Sequence, residues 1–123
     1  MARLFFAIAS ILGALSVAGG AFGAHALKGQ LTEAALGSFE TGIRYQMYHA
    51  LALLIVALLM KQSPASALTI AGWCFIAGIV LFSGSLYGLS LAGIKALGPV
   101  TPLGGVAFIA GWICLVIGSS KAF

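Results

Sequence analysis

The stretch ETGIRYQMYHALALLIVALLM, residues 40–60, joins a group of polar side chains directly to an apolar run. Every side chain from Ala50 to Met60 is apolar, and the segment as a whole is long enough to cross the ~30 Å hydrocarbon core of a membrane. In lipid each backbone amide must be bonded within its own segment, so a segment of this kind is predicted to be helical. The polar residues at its start need a separate explanation.

The composition of the chain also indicates a membrane protein. Of its 123 residues 62% are hydrophobic and 7% are charged, with a mean hydropathy of +1.16, whereas soluble domains carry ~25% charged residues. The net charge of +4 comes from scattered basic residues, so we predict no nucleic-acid partner. Cys74 and Cys114 lie in apolar runs outside any CxxC motif and are predicted to be small buried hydrophobes.

We predict an all-α integral membrane protein, a four-transmembrane-helix bundle in a single domain, residues 1–123. The spans cover about residues 4–24, 43–60, 68–92 and 102–120, and the second helix begins at the interface over about residues 32–42. Thr32, Ser66 and Thr101 are the predicted helix caps, with Pro102 at the first position of the last helix. Residues 4–24 also have features of a secretory signal, but we expect them to be retained as a span.

The distribution of basic residues predicts the orientation. Four spans place both termini on one side of the membrane. The basic residues form two sets, with Arg3, Lys61 and Lys121 on the terminal side and Lys28, Arg44 and Lys95 on the other. Because Arg44 is expected to be recessed in the second span, it counts less, and the positive-inside rule then favours cytoplasmic termini.

Two segments suggest an internal repeat. ILGALSVAGGAFG (11–23) and IAGIVLFSGSLYG (76–88) align with matching isoleucine and glycine positions. A duplication would make the protein two parallel-repeat helical hairpins related by an axis along the membrane normal. The alternative is a chance match, which glycine-rich helices produce easily.

Small residues recur at helical spacing on the predicted spans. Lipid provides no hydrophobic drive between helices, so such faces stabilise a bundle by letting backbones approach closely. The predicted helix-packing glycines are Gly13, Gly20, Gly23, Gly84, Gly88, Gly104 and Gly111. The same faces offer a contact for a second copy of the chain or for another membrane protein.

The polar stretch of the second span divides over two faces of its helix. At about 100° per residue, Glu40, Arg44 and Tyr48 share one stripe, and Gln46 and His49 lie on the far side. His49 is about 18 Å and Arg44 about 25 Å from the end of the span. A charge at such depth costs ~2.5–3.5 kcal/mol, and a Glu40–Arg44 pair returns only ~0.3–0.5 kcal/mol. The second helix is therefore predicted to have protein on at least two sides.

These residues are combined with others expected near the same membrane surface into a candidate polar site. Its members are His25, Glu40, Arg44, Gln46, Tyr48, His49, Ser83, Ser85 and Tyr87. Two interpretations stay open, a structural polar clamp and a pathway for protons or small solutes. The chain carries no motif-anchored catalytic set, nucleotide fingerprint or metal-ligand spacing, so we predict no catalytic residues, metal or cofactor and no enzyme.

Four blocks of the chain carry a resemblance to a known family. They are GAFGAHALKG (20–29), ETGIRYQMYHALALL (40–54), FSGSLYGLSL (82–91) and GPVTPLGGVAFIAGW (98–112). In order and spacing they resemble the domain of unknown function 423 family, also described as the transmembrane protein 256 family. The resemblance implies a small multi-spanning membrane protein, of the inner membrane in bacteria. It implies no reaction, substrate or site residue.

Three functions follow from these observations. The leading prediction is a structural or accessory membrane protein that can form homo-oligomers, because glycine faces are present and no catalytic set is. An alternative is a small-solute or proton-coupled transporter or channel, which requires a water-accessible cavity containing the polar cluster. Another is a lipid-binding protein, with membrane lipids as partners, which requires a lateral opening between helices beside that cluster.

Overall fold

The protein is built from long helices without a β-sheet. A computed structural model describes residues 1–123. The helices are α1 (Ala2–Phe22), α2 (Glu33–Gln62), α3 (Ser66–Gly78), α4 (Gly84–Ala92) and α5 (Val100–Ser119). Shorter segments extend or join them, namely π-helical Gly23–Leu27 and Ile79–Ser83 and the 3₁₀ turn Lys95–Leu97.

Together these segments form four helices that are long and apolar enough to cross a membrane. In chain order they are span 1 (Ala2–Leu27), span 2 (Glu33–Gln62), span 3 (Ser66–Ala92) and span 4 (Lys95–Ser119). The prediction of an all-α membrane protein with four spans is confirmed. Span 3 continues through its π-helical segment without a break, and Gly93, in the left-handed conformation at φ 66°, ends it.

Span 2 is one continuous helix of 30 residues, about 45 Å long, and therefore longer than the hydrocarbon core. Thr32 caps it as predicted, because the Thr32 Oγ1 accepts a hydrogen bond from the backbone N–H of Ala35 at 3.1 Å. The first turns of the helix can thus lie at the membrane surface with their free amides satisfied.

The other two predicted caps are wrong. Ala65 occupies the N-cap position of α3, and Ser66 is the first helical residue. α5 begins at Val100 behind Pro99, so Thr101 lies inside the helix. Pro99 occupies the N-cap position, and Pro102, predicted at the first position of the helix, is its third residue.

Successive spans of the chain pack side by side, and aromatic side chains also join span 1 to span 3 and span 2 to span 4. Span 1 packs along span 2, span 3 packs along span 4, and spans 2 and 3 join the two hairpins. Spans 2 and 3 are the inner helices, whereas spans 1 and 4 leave most of their surface exposed. Span 2 therefore has protein on two sides. Two hairpins related by a twofold axis through the centre of the bundle would also pack span 4 against span 1. The structure does not show that contact. An ancestral duplication of the sequence stays a prediction.

Phenylalanine rings and glycines interlock in the core. Phe5 of span 1 lies against Gly72 of span 3, and Phe75 of span 3 lies against Gly111 of span 4. A Cβ on either glycine would overlap the facing ring. Both rings are fully buried, so the glycines supply the space that lets aromatic side chains fill the helix interfaces.

The predicted packing glycines fall into two sets. An added Cβ would overlap a neighbouring segment at Gly23, Gly88, Gly104 and Gly111. At Gly20 it would make ordinary contact with Ile43, and at Gly13 and Gly84 it would meet nothing within 4 Å, so the packing predicted for those two inside this chain is wrong. Close approaches that the prediction missed occur at Gly19, Gly42, Gly72 and Gly78.

Candidate functional site

The polar stretch of span 2 divides between the interior and the surface. Gln46 and His49 are only 5% and 4% exposed, whereas Glu40 and Arg44 lie on the exposed face of the helix. The predicted pair of Glu40 with Arg44 is not formed, since no acid–base pair approaches within 4.0 Å. The two faces of the helix are separated as the helical phase predicts, but only the face with Gln46 and His49 contacts protein.

Gln46 links three spans. The hydroxyl of Tyr87, in span 3, donates to Gln46 Oε1 at 2.5 Å. Gln46 Nε2 in turn donates to the backbone carbonyl of Leu12, in span 1, at 2.9 Å. That carbonyl can only accept, which fixes the orientation of the amide. A single side chain thus holds span 2 to spans 1 and 3.

Serine hydroxyls make two further cross-links near this point. Ser83 Oγ donates to the carbonyl of Gly42 at 2.6 Å, which ties span 3 to span 2. Ser85 Oγ donates to the carbonyl of Phe82 at 2.9 Å and lies 2.5 Å from Thr101 Oγ1. Because the proton of Ser85 is already used, Thr101 is the donor between the two hydroxyls. The residue predicted to cap span 4 instead bonds it to span 3.

His49 has both ring nitrogens engaged. The indole Nε1–H of Trp112, in span 4, donates to His49 Nε2 at 3.1 Å, and His49 Nδ1 lies 2.7 Å from the carbonyl of Tyr45. An indole can only donate and a carbonyl can only accept, so the proton sits on Nδ1 and the imidazole is neutral. Its ring stacks on Phe108 with centroids 3.5 Å apart and planes 7° apart.

A cleft of about 460 Å³ opens on the side of the bundle next to His49. Residues of spans 2, 3 and 4 line it, and most of them are aromatic: Tyr45, Tyr48, His49, Phe82, Gly105, Phe108, Ile109 and Trp112. The volume falls in the ~300–1,000 Å³ range of small-molecule sites. Tyr48 is 52% exposed at its edge. We call this feature the aromatic cleft.

Two adjacent glycines of span 4 shape the aromatic cleft. Gly104 packs directly on the backbone of Phe82, so spans 3 and 4 touch there. Gly105, one residue on, lines the cleft, and an added Cβ would meet nothing within 4 Å. The first glycine closes the helix interface and the second leaves the space beside it open.

The structure brings together only part of the predicted site. Gln46, His49, Ser83, Ser85 and Tyr87 make hydrogen bonds within the bundle. The remaining members are exposed: His25, Glu40, Arg44 and Tyr48. Sequence reasoning missed Trp112, Thr101 and Phe108. The signal for Trp112 was its indole N–H, which needs an acceptor in the middle of an apolar span.

The Tyr87–Gln46 bond can be tested by a double-mutant cycle. Tyr87→Phe leaves Gln46 Oε1 unpaired, and Gln46→Leu leaves the Tyr87 hydroxyl unpaired, so each should cost about 1–3 kcal/mol of unfolding free energy. The double variant should lose less than the sum, by about 0.5–1.5 kcal/mol. Unfolding in SDS mixed micelles measures these values. Tyr48→Phe, whose exposed hydroxyl has no protein partner, is the control, and additive losses would contradict the bond.

The arrangement of the helices, the hydrogen bonds and the cleft defines a class of protein. Long apolar helices, spans tied together by neutral hydrogen bonds, and a cleft on the side of the bundle describe a small four-span integral membrane protein. Within the chain no three His, Cys, Asp or Glu side chains are grouped so that they could hold a metal ion.

The chain belongs to a family described as "Protein of unknown function (DUF423)", whose match covers residues 19–105. It is 50% identical over 120 residues to UPF0382 membrane protein YwdK of Bacillus subtilis (strain 168), covering 97% of this chain and 98% of that protein. It is 46% identical over 119 residues to UPF0382 membrane protein SAB0533 of Staphylococcus aureus (strain bovine RF122 / ET3-1), covering 97% of each. No solved structure matches the chain.

Proposed function

We propose that this protein binds a membrane lipid, whose apolar chain occupies the aromatic cleft. The observation that carries the proposal is the lateral opening of the cleft directly beside the His49–Trp112 hydrogen bond. His49 lies about 20 Å along the helix from Gln62, so the cleft faces the hydrocarbon layer. The partner available at that depth is a lipid chain.

The walls of the cleft support a preformed site. His49 is held by Trp112 on one side and by the Phe108 ring on the other. Phe82 is held by the close approach of Gly104. Rigid aromatic walls bind an apolar ligand without losing rotamer freedom on binding, which favours affinity.

The hydrogen bonds of the buried polar groups support a structural role for these residues. Gln46, Ser83 and Ser85 use their hydrogen-bonding groups on neighbouring spans, and no buried side-chain polar atom lacks a partner. A solute pathway needs such groups to face water, and an enzyme needs them to face a substrate. We therefore assign this cluster the role of a clamp and assign the protein no reaction.

The leading expectation from sequence, a structural or accessory protein that forms homo-oligomers, stays a second proposal. The observation that favours it is that a Cβ added at Gly13 or Gly84 would meet no neighbouring atom of this chain within 4 Å. Both lie on spans that pass through lipid, where an open glycine lets another helix approach closely.

We also infer that the protein lies in the inner membrane with both termini in the cytoplasm. An even number of spans supports termini on the same side. Arg3, Lys61 and Lys121 on that side support the cytoplasmic assignment by the positive-inside rule.

The lipid proposal is tested by filling the cleft. Gly105→Leu places a side chain in the open space without meeting other protein atoms at its Cβ. In liposomes containing a phospholipid with a photoreactive acyl chain, crosslinks to Tyr45 and Ile109 should fall by about tenfold, which corresponds to ~1.4 kcal/mol. Mass spectrometry of the crosslinked peptides measures this.

Gly84→Leu is the matched control for this experiment. It adds the same side chain at another open glycine outside the cleft and should leave the crosslinks at Tyr45 unchanged. Equal labelling of the cleft in the wild type and in Gly105→Leu would overturn the proposal.

A further inference from the structure

A second groove lies between spans 1 and 2 at the terminal end of the bundle. Its volume is about 640 Å³. Arg3 of span 1 and Lys61 of span 2 stand at its rim, and both side chains are exposed. Below them Phe6 and Leu58 form part of its apolar wall. The groove combines two cations with a lipid-facing apolar surface, and it shares no residue with the aromatic cleft.

The two cations have no counter-ion in the protein. The only acidic side chains of the chain are Glu33 and Glu40, which lie about 30 Å or more from Lys61 along the same helix. No acid–base pair within 4.0 Å forms anywhere in the structure. Arg3 and Lys61 are therefore available to an anion at the membrane surface, where basic residues between helices favour acidic headgroups.

We propose that this groove binds an anionic phospholipid, with the phosphate between Arg3 and Lys61. A guanidinium offers paired donors that match phosphate oxygens, and an ammonium adds a second charge-assisted bond. The acyl chain lies over Ala7 and Ala57, whose small side chains form the floor of the groove. This apolar extension is what favours a lipid over a free phosphate ion.

The site is independent of the lipid proposed for the aromatic cleft. The aromatic cleft recognises an apolar chain at mid-membrane depth, whereas this groove recognises charge at the surface. His49 and Lys61 are about 18 Å apart along span 2. Gly105→Leu should therefore leave binding in this groove unchanged, so the two proposals can fail separately.

The test uses the full chain in nanodiscs made of equal parts phosphatidylglycerol and phosphatidylcholine. Native mass spectrometry gives the ratio of the two lipids retained by the protein. The wild type should prefer phosphatidylglycerol by about tenfold, and Arg3→Gln/Lys61→Gln should lower the preference towards unity. Both side chains are exposed, so the double variant should keep its helix content by circular dichroism.

The control is Lys95→Gln/Lys121→Gln, which removes the same charge away from the groove. This variant should keep the preference of the wild type. An equal loss in both double variants would overturn the site in favour of general surface charge. Loss of the preference on adding excess inorganic phosphate would overturn the lipid as its ligand, and retention of the preference would support it.

Discussion

Replacing Gly104 with leucine should separate spans 3 and 4 and give the largest loss of stability of any single glycine change in the chain. A Cβ at this position would overlap the backbone nitrogen and Cα of Phe82. Backbone atoms cannot rotate away as a side-chain tip can, so the helices must move apart. We expect the unfolding free energy to fall by more than about 3 kcal/mol, the upper range for overpacking.

The measurement for Gly104→Leu uses the cysteines of the protein. Cys74 lies in span 3 and Cys114 in span 4, where both are partly buried. Their labelling by a water-soluble maleimide during SDS titration reports opening of the bundle. Gly105→Leu, which has open space at its Cβ, is the control and should open at the wild-type SDS fraction. Identical transitions for the two variants would contradict the close approach.

Replacing His49 with alanine should cost about 3–5 kcal/mol of unfolding free energy, by analogy with aromatic-to-alanine changes in protein cores. The change removes the ring that stacks on Phe108 and the acceptor of the Trp112 N–H. It leaves a cavity and an unpaired donor at a depth where water cannot replace the lost bond.

A second variant separates the two parts of this effect. His49→Phe keeps a planar ring beside Phe108 but offers Trp112 no acceptor, so it should cost only about 1–3 kcal/mol. His25→Ala changes an exposed histidine and should stay within about 0.5 kcal/mol of the wild type. SDS unfolding followed by tryptophan fluorescence measures all three. Equal values for His49→Ala and His25→Ala would rule out the proposed bond.

Hydropathy predicts the spans of this protein because crossing lipid is a property of one segment at a time. The cap at Thr32 is equally local, since its acceptor and donor are three residues apart. Local sequence signals fail where two possible helix starts compete, as they do at Pro99 and Pro102. Contacts with the rest of the bundle then determine where the helix begins. Thr101 shows the outcome, since its hydroxyl bonds Ser85.

The inner face of each span is much harder to predict. In a helix of a soluble protein, polar residues show which face is exposed to water. Lipid is as apolar as a protein core, so the hydrophobic pattern of a membrane span does not show which face is buried. Gly84 was therefore assigned to a packing face although a Cβ there would meet nothing within 4 Å, and Gly42, which lies against the Tyr87 ring, was missed. The two glycines are alike in sequence and differ only in what surrounds them.

Long-range partners of the candidate site could not be predicted either. The helical phase of span 2 separates Gln46 and His49 from Glu40 and Arg44, and the structure keeps that separation. The phase does not say which face meets protein, nor that Trp112, in span 4, supplies the donor to His49. Those facts depend on how the spans are arranged in space. A single sequence with weak turn signals between its helices does not specify that arrangement.

The neutral interior has a consequence for how the protein responds to the energy state of a cell. A membrane voltage acts on charge displaced along the membrane normal, with ~2.3 kcal/mol per elementary charge per 100 mV. Every charged side chain of this protein is exposed, and the buried polar set consists of hydroxyls, one amide and the neutral imidazole of His49. The packed interior therefore contains no gating charge, and we expect the membrane voltage to do no work on its packing.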